Sequence, residues 1–268
     1  MIDKLALIGF GEAGSTFAAA ARWGTRAHAY DVAEARALSM ARHGVVAAPT
    51  ADAALRGASM VLSMVTADQA LVAATAYAQH LSLGALWCDF NSIAPETKRQ
   101  AAQVVAAAGG RYVDVAVLAP VSPASLSVPL FISGPAAFAA NTCLAEAGFS
   151  NIKVVGPEIG RASTIKMVRS VMVKGIEALT AEMMAAADKA GVADEVLASL
   201  DASEKASTWQ VRAAYNLERM ATHGDRRAAE MEEAAKTLAA LGVEPLMTSG
   251  TVIRQRAAAN VARSREAQ

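Results

Sequence analysis

The sequence predicts an α/β protein, a doubly wound sheet followed by an all-α C-terminal domain. Three observations carry this. Short apolar runs alternate with helical patterns from Lys4 to about Val117, a glycine-rich turn closes the first run, and strand signals vanish after Gly160. Short strands separated by helices of ten or more residues imply parallel pairing through right-handed crossovers.

In chain order the runs are LALIGF, with a helix to Arg22; AHAY, with a helix from Asp31; then MVLSMV, ALWCDF and RYVDVAV. Prolines punctuate the segment that follows. Within it SVPLFISGP reads as a further strand, succeeded by a turn and a helix containing Ala136 to Ala147, and NIKVV as a last strand. The expected domains are residues 1–160 and 161–268. From Arg161 to Ala190, Ile165, Val168, Met172, Ile176, Leu179 and Met183 recur at three- and four-residue steps, the mark of a long amphipathic helix. Further helices are expected around Asp194, Trp209, Glu230 and Val252.

Composition narrows the function. The 268 residues are 54% hydrophobic and 19% charged, which describes a chain with a generous core rather than disorder. Lys+Arg and Asp+Glu are equal at 25 each, so no global field recruits nucleic acid or an anionic membrane, and a small-molecule partner is favoured. Cys88 and Cys143 form no spaced pair and are expected as buried, reduced thiols. His28, His43, His80 and His223 are scattered without ligand spacing, so no metal is expected. The first ten residues read as a strand, not a signal peptide, and prolines 120, 123, 129 and 135 break the charge-free stretch from Val115 to Ala145; a cytoplasmic location is expected.

The turn Gly9-Phe10-Gly11-Glu12-Ala13-Gly14 fits G-x-G-x-x-G, and its place between an apolar strand and a helix gives the pattern its force. Gly9 permits the tight turn, and Gly11 lets a pyrophosphate approach the backbone. Gly14 lets helix and strand pack closely. Free amides at Glu12 and Ala13 then meet the phosphate charge. This is the Rossmann dinucleotide cradle. Asp31 ends the second strand at the distance where an acid bonds the adenosine ribose, which favours NAD over NADP; Arg36, one turn on, softens that preference and leaves NADP open. Asp31 also suits a plain helix N-cap.

Three further segments resemble the β-hydroxyacid dehydrogenases, the group of 3-hydroxyisobutyrate and 6-phosphogluconate dehydrogenases. Asp89-Phe90-Asn91-Ser92, followed by Pro95, is similar to the turn that borders the nicotinamide there, with Ser92 as the counterpart. Met64-Val65-Thr66 occupies the place of a cofactor loop, which assigns Val65 and Thr66 to the cofactor. Gly160 to Ser170 resembles the helix that carries the family's catalytic lysine, here Lys166. The periodicity agrees, since Ser163, Lys166, Ser170 and Lys174 form a polar stripe on an apolar helix, which is equally the pattern of a solvated face.

The sequence departs from the family in two places. Ser170, preceded by Arg169, stands where many members have asparagine. Asp114-Val115-Ala116-Val117-Leu118-Ala119-Pro120 stands where they carry D-A-P-V-S-G-G, so the usual carboxylate cradle is missing and Leu118 takes a substrate-side place. The branch resembled has a 6-phosphogluconate-dehydrogenase-like C-terminal domain and no assigned substrate.

The chemistry implied is hydride transfer between a nicotinamide and a small hydroxy compound, with Lys166 as general acid/base. Desolvation and the nearby Lys174 and Arg169 favour the neutral amine that takes a proton. Ser163 and Ser170 are candidates to orient the hydroxyl. His223, with Arg226 and Arg227, is a candidate for an anionic substrate group, and also reads as an ordinary helix surface. No tyrosine is followed four residues later by lysine, and no Gly-Lys-Ser/Thr occurs, which removes short-chain dehydrogenase and P-loop chemistry. Two rivals stand: an imine or ketone reductase without a lysine base, and a dinucleotide-binding sensor without catalysis. A homodimer is expected, from the apolar surface of the long helix and from the resemblance.

Overall fold

The computed structural model describes residues 3–203 and 206–266. It divides into two compact units, 1–169 and 170–268. The first is built on β1 (Leu5–Ile8), α1 (Glu12–Ala21), β2 (Ala27–Tyr30), α2 (Arg36–Arg42), β3 (Val46–Ala47), α3 (Ala51–Leu55), β4 (Met60–Ser63) and α4 (Ala70–Tyr77). It continues through β5 (Leu86–Asp89), α5 (Pro95–Ala107), β6 (Arg111–Val117), β7 (Leu130–Ser133), α6 (Ala137–Glu146) and β8 (Ile152–Gly156). The eight strands form one sheet in the order β3-β2-β1-β4-β5-β6-β7-β8. Pairing is parallel except between β6 and β7. The chain runs outward from β1 to β3 and returns to the other side of β1 with β4, and this reversal opens a crevice at the carboxyl ends of β1 and β4.

Alternation along the strands splits the core in two. Leu5, Leu7, Leu62, Val113, Val115 and Ile132 face one side, where they pack with Phe17, Ala140 and Leu144 of α1 and α6. Ala6, Ile8, Val61, Trp87 and Tyr112 face the other, against residues of α3, α4 and α5 such as Leu55, Ala74, Ala101 and Val105. Local signals set the helix starts. Pro95 occupies the first turn of α5, where its missing N–H costs nothing, and Thr50 caps α3 by accepting from Ala53 N–H at 3.2 Å.

Two elements differ from the sequence reading. The helix expected from Asp31 begins at Arg36, because both Asp31 oxygens are engaged by turn amides instead. The two-residue β3 is too short to show a period.

The helix α7 (Arg161–Ala190) has the expected bounds, and the division between the units falls inside it. In the second unit it is followed by α8 (Ala193–Ser203), α9 (Trp209–Ala240) and α10 (Leu246–Glu266). The helices expected around Trp209 and Glu230 are one helix. Gly224 does not break it but lets α10 close in: a Cβ there would collide with the Gln255 carbonyl oxygen and lie 3.1 Å from the Ala259 Cβ. The Glu182 carboxylate of α7 accepts from Met247 N–H at 2.7 Å, Thr248 N–H at 2.9 Å and the Thr248 hydroxyl at 2.6 Å, and so caps α10 from outside.

Candidate functional site

A cavity of about 510 Å³ opens at the crevice between β1 and β4. Gly9, Gly11, Glu12, Ala13, Asp31, Val65 and Thr66 all line it. Each glycine has a separate reason. Gly9 has φ +88°, and a Cβ there would run into the Met64 carbonyl, 2.7 Å from its carbon. Gly14 is buried and would bring a Cβ to 3.2 Å from Gly9 O. A Cβ on Gly11 would meet nothing within 4 Å, so the turn opens there onto the cavity. Gly11 is also the N-cap of α1 and offers no side-chain cap, which leaves the amides of the first turn pointing outward as donors.

Asp31 is fixed by the backbone. Its Oδ2 accepts from Phe10 N–H at 2.7 Å and its Oδ1 from Ala33 N–H at 2.8 Å, while the N-cap of α2 is Ala35. The carboxylate is therefore held at the cavity rim with lone pairs to spare for a diol. Tyr30 and Tyr77, edge to face at 5.8 Å between ring centres, add a flat apolar wall beside Val72, and Gln69 and Arg36 complete the rim. Amides for a diphosphate, a carboxylate for a ribose and an apolar wall for a purine together fit a nicotinamide dinucleotide. Tyr30, Gln69, Val72 and Tyr77 carried no sequence signal, since they reach the cavity only through the crossover geometry.

Beside the cavity runs a buried polar network. Strand register places Tyr30, Ile8, Ser63, Asp89, Asp114 and Ser133 in one row across the sheet, and Ser63, Asp89, Asp114 and Ser133 are all fully buried. Lys98, on the inner face of α5 with Ala101, Ala102 and Val105, is 1% exposed. Its Nζ donates to the Asp89 carbonyl at 2.6 Å and to Asp89 Oδ1 at 3.1 Å, and lies 3.5 Å from Asp114 Oδ1. The Tyr112 hydroxyl donates to Asp89 Oδ2 at 2.6 Å; burial first, and then the Asp89 charge, push its ionisation well above the ordinary tyrosine range, so it stays a donor. Asn91 N–H donates to Asp89 Oδ1 at 2.8 Å, Asn91 Nδ2 donates to Ser63 Oγ at 3.1 Å, and Asn91 Oδ1 accepts from Val65 N–H at 2.7 Å.

At the other end, Asp114 holds the start of α7. Its Oδ2 accepts from Ser163 N–H at 3.0 Å, its Oδ1 from the Ser163 hydroxyl, and Ser133 Oγ accepts from Ala162 N–H at 3.0 Å. A carboxylate at a helix N-terminus meets both free amides and the positive end of the macrodipole.

The remaining sequence candidates fall in different places. Ser163 is buried with its hydroxyl committed to Asp114. Lys166, one turn further, is half-buried, and Ser170, another turn on, is half-buried where the second unit begins. Lys174 is exposed, so the stripe runs from the interior outward. Ser92 is exposed and does not line the cavity; its neighbour Asn91 makes the bonds. Leu118 is half-buried, and its N–H extends the β6–β7 ladder by donating to Pro129 O at 3.0 Å. His223 is exposed on α9, in the second unit. Cys88 is buried and Cys143 only partly so; both are free. Among the described residues no group of three or more His, Cys, Asp or Glu could hold a metal ion, and no helix is long and apolar enough to cross a membrane. Lys98 was missed, although a lysine at the inward positions of an apolar helix stripe was a usable signal.

Comparison with known proteins agrees with the cradle. Residues 4–144 match the NAD binding domain of 6-phosphogluconate dehydrogenase, and residues 187–258 match a domain of unknown function, DUF1932. The chain belongs to the family that carries this NAD binding domain. The 3-hydroxyisobutyrate dehydrogenase of Pseudomonas aeruginosa is 28% identical over 222 residues, 78% of this chain and 72% of that one. An uncharacterised 28.5 kDa protein of Methanothermus fervidus is 28% identical over 150 residues, and the matched part spans only 56% of either chain. Among solved structures, a conserved hypothetical protein from Sinorhizobium meliloti 1021 is 35% identical over 97% of this chain and 89% of that one, with a TM-score of 0.65. An imine reductase from Streptomyces aurantiacus shares the fold, with 22% identity, 97% and 95% coverage and a TM-score of 0.79. The resemblance read from the sequence and the nicotinamide cofactor are thereby borne out.

Proposed function

We propose that the protein is an NAD-dependent oxidoreductase that interconverts a small hydroxy compound and its carbonyl counterpart, with Lys166 as general acid/base. One observation carries this reading. The turn that bears the cradle and the residue that anchors α7 lie at one level of the sheet, joined by the register Ile8–Ser63–Asp89–Asp114. Three strand spacings, about 14 Å, separate them. That span suits an extended dinucleotide lying across the strand ends and supports a role beside the nicotinamide for the half-buried lysine one turn into α7.

The nicotinamide, when bound, accepts or delivers the hydride. The chain's own residues do the rest. The first-turn amides of α1 and the Asp31 carboxylate fix the dinucleotide, and Lys166 Nζ takes the hydroxyl proton as the carbonyl forms, or returns it to the alkoxide in reduction. The apolar segment Val115-Ala116-Val117-Leu118 offers no side-chain donor for a carboxylate. It supports a second reading, reduction of an uncharged ketone or imine.

We further propose a homodimer. Val168, Val171 and Met172 on α7 are at least half exposed, and a groove in the second unit is walled by Leu179, Met183, Val196 and Leu238. Unpaired apolar surface of this extent fits a contact between copies. The deciding experiment for the chemistry is Lys166→Ala, assayed with NAD(H) across hydroxy acids, ketones and imines. Loss of a positioned acid/base lowers kcat by about 100- to 10,000-fold with cofactor affinity unchanged. Wild-type turnover with the same pH profile would remove Lys166 from the mechanism.

A further inference from the structure

The buried network beside the cavity is more than scaffolding. A continuous set of hydrogen bonds and one ion pair leads from the cavity wall to α7: Val65 N–H donates to Asn91, Asn91 N–H and Lys98 Nζ donate to Asp89, Lys98 pairs with Asp114, and Ser163 N–H donates to Asp114. Every side chain in the chain from Asn91 to Ser163 is at most 5% exposed. Two carboxylates share one lysine, and the second of them balances its charge on the amides at the start of α7. A shift of Lys98 toward Asp89 weakens its pull on Asp114, and the reverse strengthens it. In a medium of low dielectric such exchanges carry more energy than they would in water.

We propose that Lys98 is a positioning residue that couples occupancy of the dinucleotide cavity to the start of α7 and thereby sets the place of Lys166. The consequence for catalysis rests on the reading of Lys166 given above; the coupling itself does not. Lys98 does not line the cavity, so it acts on cofactor only through Asp89 and Asn91. The loop at Val65 is the point of contact, because it both walls the cavity and donates to Asn91. A dinucleotide resting on that loop fixes the Val65 amide. The same restraint then passes to Asn91, to the shared lysine and to the cap on α7.

The test is backbone hydrogen exchange of residues 161–166 in the full chain, with and without NADH, while NADH fluorescence reads binding separately. In the wild type, NADH slows exchange there by about fivefold or more, the lower end of coupling between distinct sites. In Lys98→Met, NADH binds but exchange at 161–166 no longer responds, and kcat falls while the KM for NADH holds. Asn91→Ala cuts the same path without disturbing the buried charges. It should abolish the response likewise, and it serves if Lys98→Met fails to fold. Ser163→Ala, which removes one hydroxyl at the far end, should reduce the response. The proposal is overturned if wild-type exchange at 161–166 ignores bound NADH, or if the response survives unchanged in Lys98→Met or Asn91→Ala. A fully active Lys166→Ala would sink the proton-transfer role and leave the exchange result standing, so the two failures are distinguishable.

Discussion

Two glycines of one turn should fail in opposite ways when replaced. Gly9→Ala puts a side chain at φ +88°, where an L-residue is strained by about 1–2 kcal/mol. The new Cβ also strikes the Met64 carbonyl, and that strand end cannot yield, because Met64 N–H donates to Ile8 O at 2.8 Å. Overpacking of this kind costs about 1–3 kcal/mol. The combined loss of about 2–5 kcal/mol lowers Tm by about 5–15 °C. At Gly11 the backbone has φ −80°, open to any residue, and an added Cβ meets only the cavity. Gly11→Val should therefore cost no more than about 1 kcal/mol of stability, the difference between cap residues. Its branched side chain fills the space where the diphosphate meets the amides, and losing two charge-assisted hydrogen bonds at about 1.5–3 kcal/mol each weakens NADH binding by about 100-fold or more. Melting curves followed by circular dichroism and titration of NADH fluorescence separate the two effects. Undiminished NADH affinity in Gly11→Val, or a wild-type melt in Gly9→Ala, would refute the account of this turn.

Cofactor choice follows from Asp31, whose carboxylate is held at the rim: NAD should show the higher kcat/KM, and a clear preference for NADP would mean that Arg36 dominates instead. Light scattering should give a dimer at micromolar protein, and a monomer there ends the homodimer proposal. Glu182 supplies a dependence on acid. Burial raises its ionisation, but the Thr248 hydroxyl and the amides of Met247 and Thr248 outweigh that and hold it below the usual carboxylate range. A folded-state value below the unfolded one stabilises above the unfolded pKa, about 4.3, and is lost as pH falls through the folded value. Acid titration followed by circular dichroism should show a stability loss in that window that Glu182→Gln lacks, and identical profiles would deny Glu182 this role.

Much of the fold was legible because its signals are local. The glycine turn, the strand runs and the period of α7 are each written within a few residues, and the periodic set from Ile165 to Met183 falls inside the helix Arg161–Ala190. What escaped depends on distant partners. Asp31 suits the cap of the helical pattern after it as well as a ribose, and Phe10 N–H, 21 residues back in sequence, engages its carboxylate while α2 starts only at Arg36. Helices expected separately around Trp209 and Glu230 are one, and α10 packs on the space that Gly224 leaves between them.

The candidate site divides along the same line. The phosphate end is a contiguous motif, so each of its residues could be named from the sequence. The far end is assembled from β5, α5, β6, β7 and α7, and each single segment holds at most a partial clue to it: Asp114 interrupts the apolar part of RYVDVAV. A charge in such a run must be paired once buried, since an isolated carboxylate in the interior is too costly. The partner had to be a cation facing inward. Lys98 meets that condition, three to four residues before Ala101 and Ala102 on the buried face of α5. The pairing rule thus identifies the kind of partner, but only the parallel register of β5 and β6, which sets Asp89 beside Asp114, makes one lysine serve both.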